Sequence, residues 1–141
     1  MVEACEAALA PLRAAPKGSK VLKDEWRWYA LAEVTHGEAI EKLLKPDQNL
    51  QLQLQLHAQA LGHLAHAMAH ANRAGLGSMC VSAAERFWPH CKALMASTNP
   101  GALRAPVGVA LKELHELEAP LQPQVVRVRV RVRVRVRVRE G

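Results

Sequence analysis

The residues best suited to chemistry in this 141-residue sequence are three histidines, His63, His66 and His70. Their spacing places them within about 60° of one another on a helix. Neutral imidazoles on one helix face could ligate zinc, copper or nickel. The adjacent apolar seam of Leu61, Leu64, Ala65 and Met68 is centred nearly opposite. That puts the histidines on an outer polar face or against a neighbouring repeat. One straight helix rarely closes a coordination sphere, and no carboxylate or thiol stands close by in sequence to complete it. The expectation is therefore no metal and no cofactor, with His63, His66 and His70 kept as weak candidates.

Other reactive pairs reduce to structural roles. Adjacent residues on a helix point about 100° apart, so His90 and Cys91 do not meet as a base and a nucleophile. Gly75-x-Gly77-x-x-Cys80 lacks the third glycine and the preceding strand of a dinucleotide loop, and reads as a turn. Glu113 and Glu116 flank a helix face with Lys112 and read as solvated surface. GxSxG, HExxH and phosphate-loop patterns are absent. Cys5, Cys80 and Cys91 are an odd set without CxxC spacing. On a straight helix Cys80 and Cys91 lie about 16 Å apart, beyond disulfide reach unless Pro89 breaks the helix. Buried reduced thiols are expected. No catalytic residue and no small-molecule substrate are assigned.

The elements that would position these residues are helices. Residues 2–15 are rich in Ala and Leu, with Pro11 limiting the helix, and Pro16 to Ser19 form a loop. Over 20–45, Leu22, Trp26, Tyr29, Ala30, Gly37, Ile40 and Leu44 share one stripe. Glu33 lies inside it and must sit at an edge or find a partner. Trp28 and Leu31 lie opposite, predicting a helix packed between neighbours. Pro46 ends it. Gln51 to Leu56 alternates like a strand, but Gln and Leu are good helix formers and neither is β-branched. Leu50, Leu54, Leu61, Leu64 and Met68 carry a helical seam through the segment to about Arg73, with Asp47 as its cap and Gly75-Leu76-Gly77 as its stop. The next helix carries Val81, Ala84, Phe87, Trp88, Cys91, Leu94 and Met95, with Ser78 or Ser82 as cap, Ser82–Glu85 at capping-box spacing and a kink at Pro89. The last follows Asn99-Pro100 and reaches Glu118, with Val107, Leu111, Leu114 and Leu117 inward. The aromatics Trp26, Trp28, Tyr29, Phe87 and Trp88 are expected to pack the core, though a cut solenoid would expose some of them.

About five helices with short turns make an all-α fold. It is an antiparallel helix bundle or a fragment of a tetratricopeptide-like α-solenoid, with a disordered or extended C-terminal tail. Residues 1–119 form the helical-repeat region, and 120–141 a Pro-bounded low-complexity tail. Half the residues are apolar and aromatics are only 4%, so Ala and Leu must fill the core. The N-terminus is acidic, and Pro11 and Arg13 interrupt its apolar stretch, unlike a secretory signal. No run approaches the roughly 18 apolar residues of a membrane span. A soluble, cytoplasmic protein is expected.

Charge is segregated. Residues 1–120 hold 12 basic and 12 acidic residues, and the last 21 hold 7 Arg and 1 Glu, so the whole net charge of +6 sits in the tail. Residues 126–139 alternate Val and Arg without exception. As a strand, this puts valines on one face and Arg127, Arg129, Arg131, Arg133, Arg135, Arg137 and Arg139 on the other. Those arginines could bind a polyanion such as nucleic acid, an acidic tubulin tail or acidic lipid. A membrane-active strand is a second reading. A translated GT/CG-rich nucleotide repeat is the third and the favoured one, because perfect alternation exceeds what a binding surface requires.

Two weak echoes favour a repeat. Trp28-x-x-Leu31-Ala32 is similar to the opening of a tetratricopeptide helix pair, and Ala58-x-x-Leu61-Gly62-x-x-Ala65 repeats the shape 30 residues later. Two longer stretches carry a wider resemblance: Asp24 to Glu33 with Gly37-Glu38, and Ala60 to Leu64 with Ala71 to Gly75 and Ala83 to Trp88. They resemble the large cilia- and flagella-associated proteins with tetratricopeptide-like helical repeats, in particular the cilia- and flagella-associated protein 46 family. The resemblance covers roughly residues 20–119 and rests on helix-packing patterns. It implies a fragment or short form of a far longer scaffold in the central apparatus of the axoneme of a motile cilium or flagellum. It also implies other axonemal proteins or adjacent helical repeats as partners, with microtubule contact as an option, and no active site. The function expected is a structural, scaffolding protein–protein interaction module, with a polyanion binder as the alternative.

Overall fold

The computed structural model describes residues 2–14, 21–97 and 100–117. Within them lie α1 (Val2–Ala14), α2 (Lys23–Leu43), α3 (Leu50–Arg73), α4 (Gly77–Met95) and α5 (Arg104–His115), with a 3₁₀ turn at Pro100–Leu103 before α5. The fold is an all-α bundle, and the described residues contain no strand. The Val-Arg tail, Asn99, Pro120 and Pro123 lie outside the described residues.

α3 is the hub. It packs against α2, α4 and α5, while α1 packs on α2. α2 runs antiparallel to α3: Trp26 stacks on His70, and Gly37 lies against Ala60 and Leu64. α4 also runs antiparallel to α3, so α2 and α4 are parallel. Glu38 meets Arg86 and Glu41 meets His90, both in register along the two helices. The core forms around Leu61, Leu64 and Met68 of α3. Phe87, Cys91 and Leu94 of α4 and Val107 and Leu114 of α5 close on it. Ile40, Leu56 and Ala60 make a smaller cluster at the other end of the α2–α3 pair.

The Gln-Leu alternation is helical, as its propensities predict. Helical phase distributes its leucines: Leu56 is buried, Leu54 packs on the core, and Leu50 and Leu52 face solvent. Gln53 turns to the α2–α3 loop and donates to the carbonyls of Lys45 and Gln48 at 3.0 and 3.1 Å. The cap is Asn49, whose Oδ1 accepts the Gln51 N–H at 2.7 Å, and not Asp47. At the start of α2, the Glu25 carboxylate accepts the Leu22 N–H at 2.9 Å.

α3 ends in a Schellman motif. The Leu76 N–H reaches the Ala71 carbonyl at 2.8 Å, and the Gly75 N–H reaches that of Asn72 at 3.0 Å. Gly75 takes φ 73°, the left-handed conformation this motif needs. Gly75→Ala should therefore cost about 1–2 kcal/mol of stability, read as a lower urea midpoint at unchanged slope.

Several expectations change. α4 starts directly at Gly77 with no side-chain cap, so Ser82 and Glu85 are mid-helix residues and their capping-box spacing is coincidental. α4 continues through Pro89. The carbonyl left without a helical donor there belongs to Glu85, and both residues are exposed, so water can serve it. Pro11 is likewise an exposed residue inside α1. Trp28 and Leu31 are not packed between neighbours; they are 63% and 43% exposed. Pro100 opens a 3₁₀ turn, and the α-helix begins only at Arg104. Glu113 is buried, with its carboxylate and its backbone carbonyl each accepting from the Asn72 amide at 2.8 Å. It is therefore not the solvated surface its charge pattern predicted.

Candidate functional site

α2 carries polar side chains inward at three levels. At the first, Trp26 stacks on His70 with ring centroids 5.2 Å apart, and the Arg73 guanidinium lies 4.8 Å from the Trp26 ring centre. His70 is buried, and burial holds its imidazole down at about 4.

Two turns further along α2, Glu33 and His36 face α3. The spacing of three residues puts both on the side that meets His63 and His66, themselves three residues apart on the antiparallel partner. Glu33 is only 3% exposed. Its Oε2 accepts from His63 Nδ1 at 2.5 Å, and its Oε1 lies 3.7 Å from His66 Nδ1. Burial alone would raise the carboxyl, but the hydrogen bond from His63 and the nearby imidazole of His66 outweigh it and hold Glu33 at about 2. The same contact raises His66. His36 is 3% exposed and stacks on His63 with centroids 3.6 Å apart, and its Nδ1 has no hydrogen-bond partner. Burial, and then the facing His63, keep His36 below the ordinary histidine range.

At the third level, Arg86 of α4 bridges Glu38 and Glu41, with Nη2 2.8 Å from Glu41 Oε2. Glu41 Oε1 accepts from His90 Nε2 at 2.9 Å. In the tautomer that satisfies both contacts, His90 Nδ1 accepts from His57 Nδ1, also at 2.9 Å. This carboxylate–imidazole–imidazole chain resembles a proton relay, but among the described residues no hydrogen bond links it to a nucleophile. Cys91 points into the core, where burial pushes its thiol up to about 12. A thiol held protonated is a poor nucleophile. Cys80 is in the same state, and Cys5, Cys80 and Cys91 are all free and buried.

Beside these clusters α2 and α4 both line one groove. The groove between them is lined by Leu31, Val34, Met79 and Ala83, with Ser78 and Ser82 at its edge and the Glu38–Arg86 pair at one end. Leu31, Val34 and Glu38 follow helical spacing, so α2 presents one stripe to the groove. Trp28 stands one turn before Leu31 on the outer side of α2, with the Arg27 guanidinium 5.9 Å from its ring centre.

The structure thus splits the predicted histidine set. His63 and His66 meet Glu33, whereas His70 goes to Trp26. His63 and His70 turn inward rather than to the expected outer face, whereas His66 is exposed as expected. The missing carboxylate comes from α2, 30 residues away in sequence. His36, His57 and Glu41 also belong to these clusters and were not among the residues expected there. The available signal was Glu33 inside an apolar stripe with His36 one turn on. Arg127 to Arg139 lie outside the described residues. No helix among the described residues is long and apolar enough to cross a membrane. No protein-family model, curated protein or solved structure gives a significant match to the sequence.

Proposed function

We propose that this protein is a scaffolding module that binds a partner helix in the α2–α4 groove. The observation that carries the reading is the solvent-facing pair Trp28 and Leu31 beside that groove. A monomeric domain gains nothing from exposing a tryptophan and a leucine next to an apolar channel, whereas an amphipathic helix laid along it would bury both. Side chains such as Trp are those on which protein interfaces most often depend. The arrangement of α2 and α4 side by side on α3 suits a helical-repeat array, in which alternate helices line one surface. The resemblance of residues 20–119 to cilia- and flagella-associated repeat proteins supports an axonemal setting. The partner there is a neighbouring repeat or another central-apparatus protein.

The test is binding to isolated axonemes, comparing the full chain with the Trp28→Glu/Leu31→Glu variant. Both positions are exposed, so the variant should keep its helical signal and lose about 0.5 kcal/mol or less of stability. Binding should survive high salt and fall at least about tenfold in the variant, the effect of losing about 1.4 kcal/mol. Equal binding by both proteins contradicts the reading. Binding that salt abolishes and the variant leaves intact points to the arginine tail, since phosphate or carboxylate contacts are strongly salt-dependent. The confinement of the excess charge to residues 121–141 favours that second reading.

A further inference from the structure

We propose that Glu33, His36 and His63 form a divalent-metal site between α2 and α3, with zinc as its preferred ion and His66 as the fourth ligand. One donor atom from each of Glu33, His36 and His63 lies within 4.8 Å of the others. Tetrahedral zinc with bonds of about 2.0–2.1 Å holds its donors roughly 3.4 Å apart, so the set closes when the donors draw inward and the two imidazoles turn out of their stack. The pattern is Glu-x-x-His on one helix facing His-x-x-His on its antiparallel neighbour. This geometry lets two helices build a site that neither could build alone.

Three observations point to a ligand rather than to packing. His36 is 97% buried and its Nδ1 has no protein partner, which a core polar atom rarely tolerates. The His36 and His63 rings lie 3.6 Å apart at their centroids with 24° between their planes, so both imidazoles are already gathered at one place and each has to turn its in-plane lone pair towards a shared ion. Glu33 spends one oxygen on His63 and turns the other towards His66, so the carboxylate already gathers the imidazoles into one cluster. His66 is 63% exposed and can rotate into the fourth position. Three imidazoles and a carboxylate suit zinc better than magnesium or calcium, which prefer oxygen donors. Neutral imidazoles and an ionised carboxylate are the forms that bind, so uptake releases at most the few protons resident on the histidines.

The test uses the full chain, freed of metal with a chelator and titrated with cobalt(II), then with zinc. The expected result is one equivalent of cobalt giving intense tetrahedral visible bands that zinc displaces, and a higher melting temperature with zinc. His36→Phe retains the stacked ring and removes the nitrogen, and should weaken binding by at least about 10–100-fold, the loss seen even for supporting groups. His63→Gln should do the same at a partly exposed position, and it decides the matter alone if His36→Phe does not fold. His57→Gln, in the separate relay, should bind normally. Weak octahedral cobalt bands only, or tetrahedral bands that persist in both His36→Phe and His63→Gln, would overturn the proposal. The cluster would then be only a hydrogen-bonded carboxylate–imidazole pair.

Discussion

Phe87→Ala should lower the unfolding free energy by about 3–5 kcal/mol, the usual cost of deleting a buried aromatic ring. Phe87 is 1% exposed and sits in the main core with residues from α3, α4 and α5. The chain has one Phe, and the core around it is built largely from Ala, Leu, Val, Met and Cys. These neighbours are held by close packing and fill the space left by a phenyl ring only in part, so a cavity remains and its cost adds to the lost burial. Domains of this size have only about 5–15 kcal/mol to lose. The variant should therefore unfold at a much lower urea concentration with an unchanged slope. Trp28→Ala is the control. It removes a larger ring, but one that is 63% exposed, and should shift stability by about 0.5 kcal/mol or less. Similar losses for the two variants would contradict the placement of α4 on α3.

The second large effect is acid lability. His70 takes up a proton near 6.5 when unfolded but only near 4 when folded, because burial disfavours the imidazolium. Above 6.5 both states are neutral and His70 contributes nothing to the pH dependence. As pH falls from 6.5 to 4, the unfolded state binds the proton first, and stability drops. Below 4 both states are protonated and the loss levels off. At 1.36 kcal/mol per pH unit the full loss is roughly 3 kcal/mol. Glu33 opposes this shift, and His66 and Arg73 reinforce it. His36 and His57, also lowered by burial, add loss in the same direction, whereas His66, raised by Glu33, acts against it. Urea unfolding of the metal-free protein across this range should show the decline. His70→Phe keeps a ring against Trp26 and should flatten the profile by up to about 3 kcal/mol between its ends. An unchanged slope in His70→Phe would show that the imidazole is solvated in the native state.

The helical fold could be read from the sequence because periodicity and punctuation act locally. The seam through Leu61, Leu64 and Met68 identified the buried face of α3, and Gly75 marked its end. Glu33 could be singled out as a residue in need of a partner, since a carboxylate inside an apolar stripe must be paired. What one-dimensional reasoning could not supply was the partner. Pairing His63 with Glu33 requires the register of α2 on α3, which depends on how the 44–49 loop folds back through Gln48 and Gln53. The same ignorance of register made Trp28 look like core. Two apolar faces on a helix are compatible with a neighbour on each side, but α1 and α3 do not cover the face that carries Trp28 and Leu31. Capping motifs misled for another reason. Three-residue spacings of Ser and Glu recur by chance, and the actual start of α4 was dictated by the glycine turn that ends α3.

The hub position of α3 has a kinetic consequence. Both hairpins, α2–α3 and α3–α4, share that helix, so neither can mature without constraining the other. α1, packed on α2 beyond the hub, is the segment whose departure breaks the fewest native interactions. Among the described helices, amide deuterium uptake should therefore be fastest along Val2–Ala14 and slowest around Leu61 to Met68. Cys5, buried within the early-opening segment, should react with a thiol-specific reagent before Cys80 or Cys91 does.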